Sequence, residues 1–201
     1  MDFTTVPTLS GARVTLAPLT RDHASDLASA VGELWRTWYT HVPKPEDMAA
    51  EIERRLALRE AGSMLPFATT RNDTGSAVGM TTFMNLDPAN RRLEIGSTWL
   101  AKSAQRTGIN TEAKLLMLGY AFDQLDCVAV EFRTHWHNLQ SRRAIAELGA
   151  KQDGVLRNHQ LWRDGTLRDT VVFSIIASEW PTVRLSLQER LSLRERLGAR
   201  S

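Results

Sequence analysis

The sequence predicts a single mixed α/β domain, and three observations carry that prediction. Several short runs alternate apolar and polar residues with a period of two. Two of them are joined by a polar loop and an apolar helix instead of a tight turn. The chain then returns through a hairpin pattern centred on Asp164-Gly165.

Ala12–Leu19 alternates, with Val14 and Leu16 set against Arg13 and Thr15, and predicts a first strand ending at Pro18 or Leu19. Asp22–Val31 reads as a short helix. Leu34–Pro45 reads as an aromatic loop bearing Trp35, Trp38, Tyr39 and His41. Glu46–Ala61 is a helix with an apolar stripe at Met48, Ile52, Leu56 and Leu58, its Glu and Arg residues facing water. Phe67–Arg71 and Ala77–Leu86 are strands across the turn Asn72-Asp73-Thr74-Gly75. Arg91–Leu100 follows the turn Asp87-Pro88-Ala89-Asn90, and the helix Glu112–Leu125 comes next. Val128–Trp136 is a strand, and Asn138–Leu148 an amphipathic helix stopped by Gly149. Val155–Trp162 and Thr170–Ile176 form the closing hairpin. The result is a mostly antiparallel sheet of about seven strands, flanked by helices, with one crossover in the middle.

The 201 residues are enough for one core, expected over residues 1–180, with a helical tail over 181–201. A net charge of +2 gives no footing for a nucleic-acid partner. No apolar run reaches membrane-spanning length, so no membrane partner is expected. Cys127 is the one cysteine and reads as a small core residue, with no disulfide and no thiolate metal site. Met1-Asp2-Phe3-Thr4 lacks the basic and apolar regions of a signal peptide, so a cytoplasmic location is expected. In the tail, Leu185-Ser186-Leu187-Gln188-Glu189-Arg190 is nearly repeated by Leu191-Ser192-Leu193-Arg194-Glu195-Arg196. A six-residue period does not hold one helical face, so the tail is expected to pack on the domain or on a second copy, making a homodimer one candidate assembly.

Chemistry concentrates in Gln105-Arg106-Thr107-Gly108-Ile109-Asn110-Thr111, between a strand and an apolar helix. The start of a helix leaves unpaired N–H groups and the positive end of the helix dipole, a ready site for phosphate or pyrophosphate. Gly108 lets backbone approach an anion closely, Arg106 adds a charged donor, and Asn110 or Thr111 is the expected N-cap. An ordinary capped helix fits this stretch equally well on its own.

Taken in order, the motifs resemble the GNAT acyl-CoA N-acetyltransferase superfamily, within it the branch like the ribosomal-protein N-terminal acetyltransferases. Glu94-Ile95-Gly96 with Trp99-Leu100 is similar to that branch's fourth strand. Gln105-Arg106-Thr107-Gly108-Ile109-Asn110 is similar to its pyrophosphate loop, with Asn110 in place of the usual Gly or Ala. Asn138-Leu139-Gln140-Ser141 opens a helix similar to its Asn-x-x-Ser helix, which runs to Leu148-Gly149, and Asp153–Arg157 fits the strand after it. An extra residue between Gly96 and Trp99 suggests a strand bulge. The likeness covers about residues 10 to 177.

The resemblance implies transfer of acetyl from acetyl-CoA to a primary amine by direct attack, with no metal. It implies that Trp99, Leu100 and Ala101 pair with the pantetheine arm. Gln105 to Thr111 would hold the pyrophosphate, and Asn138 with Arg143 (or Arg142) would complete the cofactor site. Glu94, facing opposite to Leu93 and Ile95, is the acid–base candidate, with His135 or His137 as alternatives. Ser141 is the candidate on the thiolate side. Trp38, Tyr39 and His135 are the expected acceptor wall, suited to an ammonium. Acceptors within this reading are a protein or peptide N-terminus or a small amine. The readings of a different class are a non-catalytic acyl-CoA-binding module and an interaction role for the tail.

Overall fold

The computed structural model describes residues 2–198. The strands are β1 (Leu9–Ser10), β2 (Val14–Pro18), β3 (Met64–Arg71), β4 (Ala77–Asp87), β5 (Arg92–Leu100), β6 (Ala129–His135), β7 (Lys151–Leu161) and β8 (Leu167–Ile176). They form one eight-stranded sheet in the order β1-β2-β3-β4-β5-β6-β8-β7. Every neighbouring pair is antiparallel except β5–β6. The strand not expected from sequence is β1, too short to show a period of its own. The closing hairpin turns at Asp164-Gly165 as expected, but β7 begins four residues earlier than predicted, at Lys151.

The helices are α1 (Ala24–Val31), α2 (Met48–Glu60), α3 (Ile109–Gly119), α4 (Leu139–Glu147) and α5 (Trp180–Gly198). None among the described residues is long and apolar enough to cross a membrane. Two cores result, one on each face of the sheet. On the first face Leu93, Ile95, Val130, Phe132 and Phe173 pack with Ala113 and Met117 of α3 and with Trp180, Val183 and Leu187 of α5. On the second, Leu27 and Val31 of α1 and Met48 and Ile52 of α2 cover Ala68, Met80 and Trp99. The tail is therefore no appendage. Its helix starts at Trp180 and completes the first core, because Trp180, Val183, Leu187 and Leu191 recur every three to four residues despite the six-residue repeat. Residues 199–201 of the expected tail lie outside the described residues.

Two features of α2 and α3 depart from the sequence reading. Glu51 and Arg55, expected on the wet face of α2, are buried as a pair, Nε donating to Oε1 at 2.7 Å. Helix α3 begins at Ile109 with Gly108 as N-cap, so Asn110 and Thr111 lie within its first turn and neither caps it. Gly108 takes the cap because the chain there is left-handed (φ 99°), a conformation a side chain disfavours. The α-helix ends at Gly119 and continues as a π-helical turn, Tyr120–Gln124, to the predicted end.

Helix α3 is tied to the start of the sheet by one carboxylate. The Glu112 oxygens accept the backbone N–H groups of Ala12 (3.0 Å), Arg13 (2.7 Å) and Val14 (2.9 Å). A Cβ on Gly11 would fall within 2.5 Å of that carboxyl carbon, so only glycine fits there. Glu112→Ala leaves three backbone donors without their acceptor, and charge-assisted bonds of this kind are strong. The expected loss is about 3 kcal/mol or more of unfolding free energy in urea titration. A loss within about 0.5 kcal/mol would contradict this role for Glu112.

Candidate active site

The site begins where β5 and β6 part. Their parallel ladder holds Arg92↔Ala129, Leu93↔Val130 and Glu94↔Glu131, and stops there. Beyond it β5 stays with β4 and β6 stays with β8, leaving two facing strand edges unpaired in a wedge. Glu94 is at the apex of that wedge.

A bulge sets which way β5 faces along the wedge. Thr82 pairs with Gly96 but Met80 with Trp99, so β5 carries one extra residue, with Ser97 at φ 48°. The extra residue between Gly96 and Trp99, read as a bulge from sequence, is this one. It inverts the alternation. Glu94 and Gly96 face the α2 side, whereas Thr98 and Leu100 turn toward α3 and Trp99 toward α1 and α2. Arg55 clamps the bulge: its guanidinium donates to Ser97 O (3.3 Å) and to Thr82 Oγ1 (3.0 Å) while Glu51 neutralises it. Gly79 lets β4 meet the far side of the bulge, since a Cβ there would collide with the Trp99 carbonyl.

Glu94 is buried at 5% exposure. Asn85 Nδ2 donates to its Oε2 at 2.7 Å, and Arg133 Nε lies 3.6 Å from the same oxygen. Burial outweighs these partners and raises its pKa above the ordinary 4.5. Arg133 is shared with Glu131 (2.9 Å), which also binds Arg92 (2.6 Å). A Cβ on Gly96 would lie 2.9 Å from Glu94 Oε1, so this glycine makes room for the carboxylate.

The open end of the wedge meets the loop before α3. Arg106 (φ 62°) and Gly108 (φ 99°) are both left-handed, which curls the backbone around the four N–H groups of Gly108 to Thr111 that no helical carbonyl reaches. Gln105 Nε2 donates to Leu100 O (2.9 Å) and Thr107 Oγ1 to Ala104 O (2.7 Å), fixing the loop to the end of β5. Ile109 is buried and anchors the loop in the core, as are Trp99, Leu100 and Ala101. Across the wedge, Asn138 caps α4 by accepting Ser141 N–H at 3.0 Å, and Gln140 Nε2 reaches Gln105 Oε1 at 3.5 Å. Ser141 is half-buried on that first turn and Arg143 is exposed two residues on. Arg142 is occupied, stacked on Trp136 at 4.2 Å.

On the other side of Glu94 lies an aromatic cluster. Trp38 packs edge-on against Tyr39 (5.4 Å) and His135 (5.2 Å), with His137 at 5.7 Å. Trp162 completes it, 5.8 Å from His135, its Nε1 donating to Trp38 O at 2.6 Å. His135 is buried and its Nδ1 accepts His137 N–H (3.1 Å). Burial first, then the charges of Arg168 and His137, hold its pKa below 6.5, so it is neutral at pH 7. Trp35 is only half-buried and lies under Arg36 and Lys44, away from both cores. The structure brings Trp38, Tyr39 and His135, expected together from sequence, into one cluster, and adds Arg55, Asn85, Trp162 and Arg168 near it, which pattern alone assigns to a helix surface, a strand end and a hairpin tip.

The Acetyltransferase (GNAT) domain family model matches residues 13–151. The chain belongs to this GNAT family. The Bacillus subtilis (strain 168) protein named "Putative ribosomal N-acetyltransferase YdaF" is 35% identical over 106 residues, 53% of this chain and 57% of that one. The match thus spans little more than half the length of that curated relative. A solved GCN5-related N-acetyltransferase from Brucella melitensis is 31% identical, with a TM-score of 0.83 over 94% of this chain and 86% of that one. Mycobacterium smegmatis RimJ, solved in complex with CoA-disulfide, shares the fold at 24% identity, with a TM-score of 0.77 over 92% of this chain and 95% of that one. The GNAT domain match ends as β7 begins, so most of the β7–β8 hairpin and all of α5 lie beyond it.

Within this GNAT domain Lys114 is fully enclosed beside the wedge. It donates to Thr81 Oγ1 and Thr98 Oγ1, both at 3.0 Å, and burial lowers its pKa from 10.5 to about 7. Between those values the unfolded chain binds the extra proton, so this group makes stability rise with pH from 7 toward 10.5, by up to about 1.4 kcal/mol per unit. Lys114→Met removes that contribution. Unfolding in urea is expected to show the variant most stabilised relative to the parent at pH 6–7 and progressively less so by pH 9.5. A difference constant with pH would contradict the lowered pKa.

Proposed function

We propose that the chain transfers acetyl from acetyl-CoA to a primary amine by direct attack within a ternary complex. The observation that carries this reading is the wedge between β5 and β6, with a buried carboxylate at its apex and a left-handed, N–H-lined loop at its mouth. The fit to acetyl-CoA is physical. An extended pantetheine arm presents amides that the wedge-side edge of β5 beside Trp99 and Leu100 would pair with, as an added strand does, whereas Ala101 N–H is taken by Val78 O at 2.8 Å and the Leu100 carbonyl by Gln105. The backbone from Gln105 to Thr111, with Arg106, would hold the pyrophosphate. Asn138 would face the arm from α4, and exposed Arg143 is free for the outer phosphate. The CoA ligand of the RimJ neighbour supports the same reading. A cytoplasmic setting is part of the proposal, in keeping with the single, buried thiol of Cys127.

Glu94 takes the proton. At neutral pH an acceptor amine is protonated and unreactive. A carboxylate whose pKa is raised by burial accepts the proton directly or through one water. A new N–C bond forms at the thioester carbonyl as the C–S bond breaks. The products are an acetamide and the CoA thiol, the departing sulfur regaining one proton. Ser141 Oγ, on the first turn of α4, is the hydroxyl assigned to hydrogen-bond that sulfur. Trp38, Tyr39 and His135 form the wall that orients the amine. Protein N-termini and small amines both fall within this acceptor class, and the YdaF relative is named a ribosomal N-acetyltransferase.

Replacing Glu94 with Gln keeps the shape and the Asn85 contact but removes the base. Turnover is expected to fall by about 100-fold or more, with acetyl-CoA affinity in calorimetry unchanged. In the parent enzyme kcat/KM falls as pH drops through the raised Glu94 pKa, above 4.5, and the variant loses that limb. Turnover within about twofold of the parent would remove Glu94 from the mechanism.

A further inference from the structure

Among the described residues, the proposed acceptor cleft holds one guanidinium with no carboxylate partner. Arg168 sits near the start of β8, opposite Gln160 of β7. Two residues on, Thr170 pairs with His135, and Val172 and Ser174 pair with Arg133 and Glu131. Arg168 is thus on the same sheet face as Glu94, Arg133 and His135. Its guanidinium lies 4.8 Å from the Trp162 ring centroid, and Trp162 is locked by its bond to the Trp38 carbonyl. The side chain is half-buried, and its Nε is sealed from solvent without a hydrogen-bond acceptor.

The neighbouring carboxylates are committed elsewhere. Asp169 binds Arg157 Nε (2.6 Å) and Asn158 N–H (2.7 Å). Glu131 is shared by Arg92 and Arg133, and Glu94 by Asn85 and Arg133. Glu94 acts on Arg168 only through its field, and among the described residues no carboxylate forms an ion pair with Arg168. A guanidinium held this way is costly unless an anion arrives. Its seat over the Trp162 ring restricts the guanidinium in advance, which lowers the ordering cost of binding a carboxylate.

We propose that Arg168 is the anion anchor of the acceptor site, so that the preferred acceptor is a primary amine carrying a carboxylate a few bonds from its nitrogen. The carboxylate docks on the Arg168 fork while the nitrogen turns toward Glu94. This rests on the acetyl-transfer reading above and narrows it. Two sources present that chemistry: the α-carboxylate of a free amino acid, or the side chain of an acidic first residue of a peptide.

The test compares matched acceptors on the full-length protein with acetyl-CoA, following thiol release. One arm pairs free amino acids with their amides. The other pairs peptide amides beginning with Asp or Glu with those beginning with Asn or Gln. The parent is expected to prefer the carboxylate-bearing member of one arm by about 30-fold or more in kcat/KM, and that arm identifies the source. Arg168→Gln is expected to erase the preference by raising KM for the carboxylate-bearing acceptor alone. Arg168→Lys is expected to recover part of it, and both variants are checked for an unchanged melting temperature. Equal rates within both arms overturn the anchor. So does a loss in Arg168→Gln that falls equally on charged and neutral acceptors, the pattern of a residue that only packs Trp162 or tunes Glu94. Acetyl-CoA binding with no acceptor acetylated would instead overturn the transfer reading and the anchor with it.

Discussion

The site depends on one constraint in the sheet: the parallel ladder of β5 and β6 ends at Glu94↔Glu131. Had it continued, the strand edges would satisfy each other and leave no wedge. Each strand instead stays with its antiparallel neighbour, and the bulge at Ser97 turns β5 as it leaves. Arg55 holds that turn from the α2 side through the Ser97 carbonyl and Thr82. Because the bulge shifts the alternation by one, the same strand presents Glu94 to the α2 side and Thr98 to α3. A buried carboxylate and a free strand edge thus arise within seven residues of one strand.

The mouth of the wedge is braced from two distant parts of the chain. Glu112 binds the turn before β2, and α5 packs along α3 from behind. Near its end Arg194 donates to the Arg106 carbonyl at 2.7 Å, while Arg13 is paired with Glu195 at 3.0 Å. Both arginines lie against Gly108, so the left-handed loop is enclosed by groups outside the loop itself. Arg106, a side-chain-bearing residue at φ 62°, is strained in isolation, and such contacts hold the loop in shape before any ligand arrives.

Much of this was legible in the sequence because it repeats with a simple period or breaks one. The alternation in β2 to β6, the Asp164-Gly165 turn and the order strand, loop, helix located the sheet and the loop, and the extra residue after Gly96 gave the bulge. Glu94 stood out because alternation places it opposite Leu93 and Ile95. The misses share a cause. Periodicity assigns charged residues to water, so the buried Glu51–Arg55 pair, Lys114 and Arg168 were invisible to it. Each is held by a contact that no period reports: Thr82 for Arg55, Thr98 for Lys114, and Trp162 across the hairpin turn for Arg168. The cap of α3 was missed for a local reason: the left-handed turn at Gly108 starts the helix before a polar side chain can cap it.

The central claim is that the wedge and its loop form an acetyl-CoA site. Calorimetric titration with acetyl-CoA, with ATP as an anion control, addresses it most directly. Saturable one-to-one binding in the micromolar range is expected for acetyl-CoA, with ATP much weaker because it lacks the pantetheine arm proposed to pair with β5. No binding, or equal affinity for the two, would contradict it.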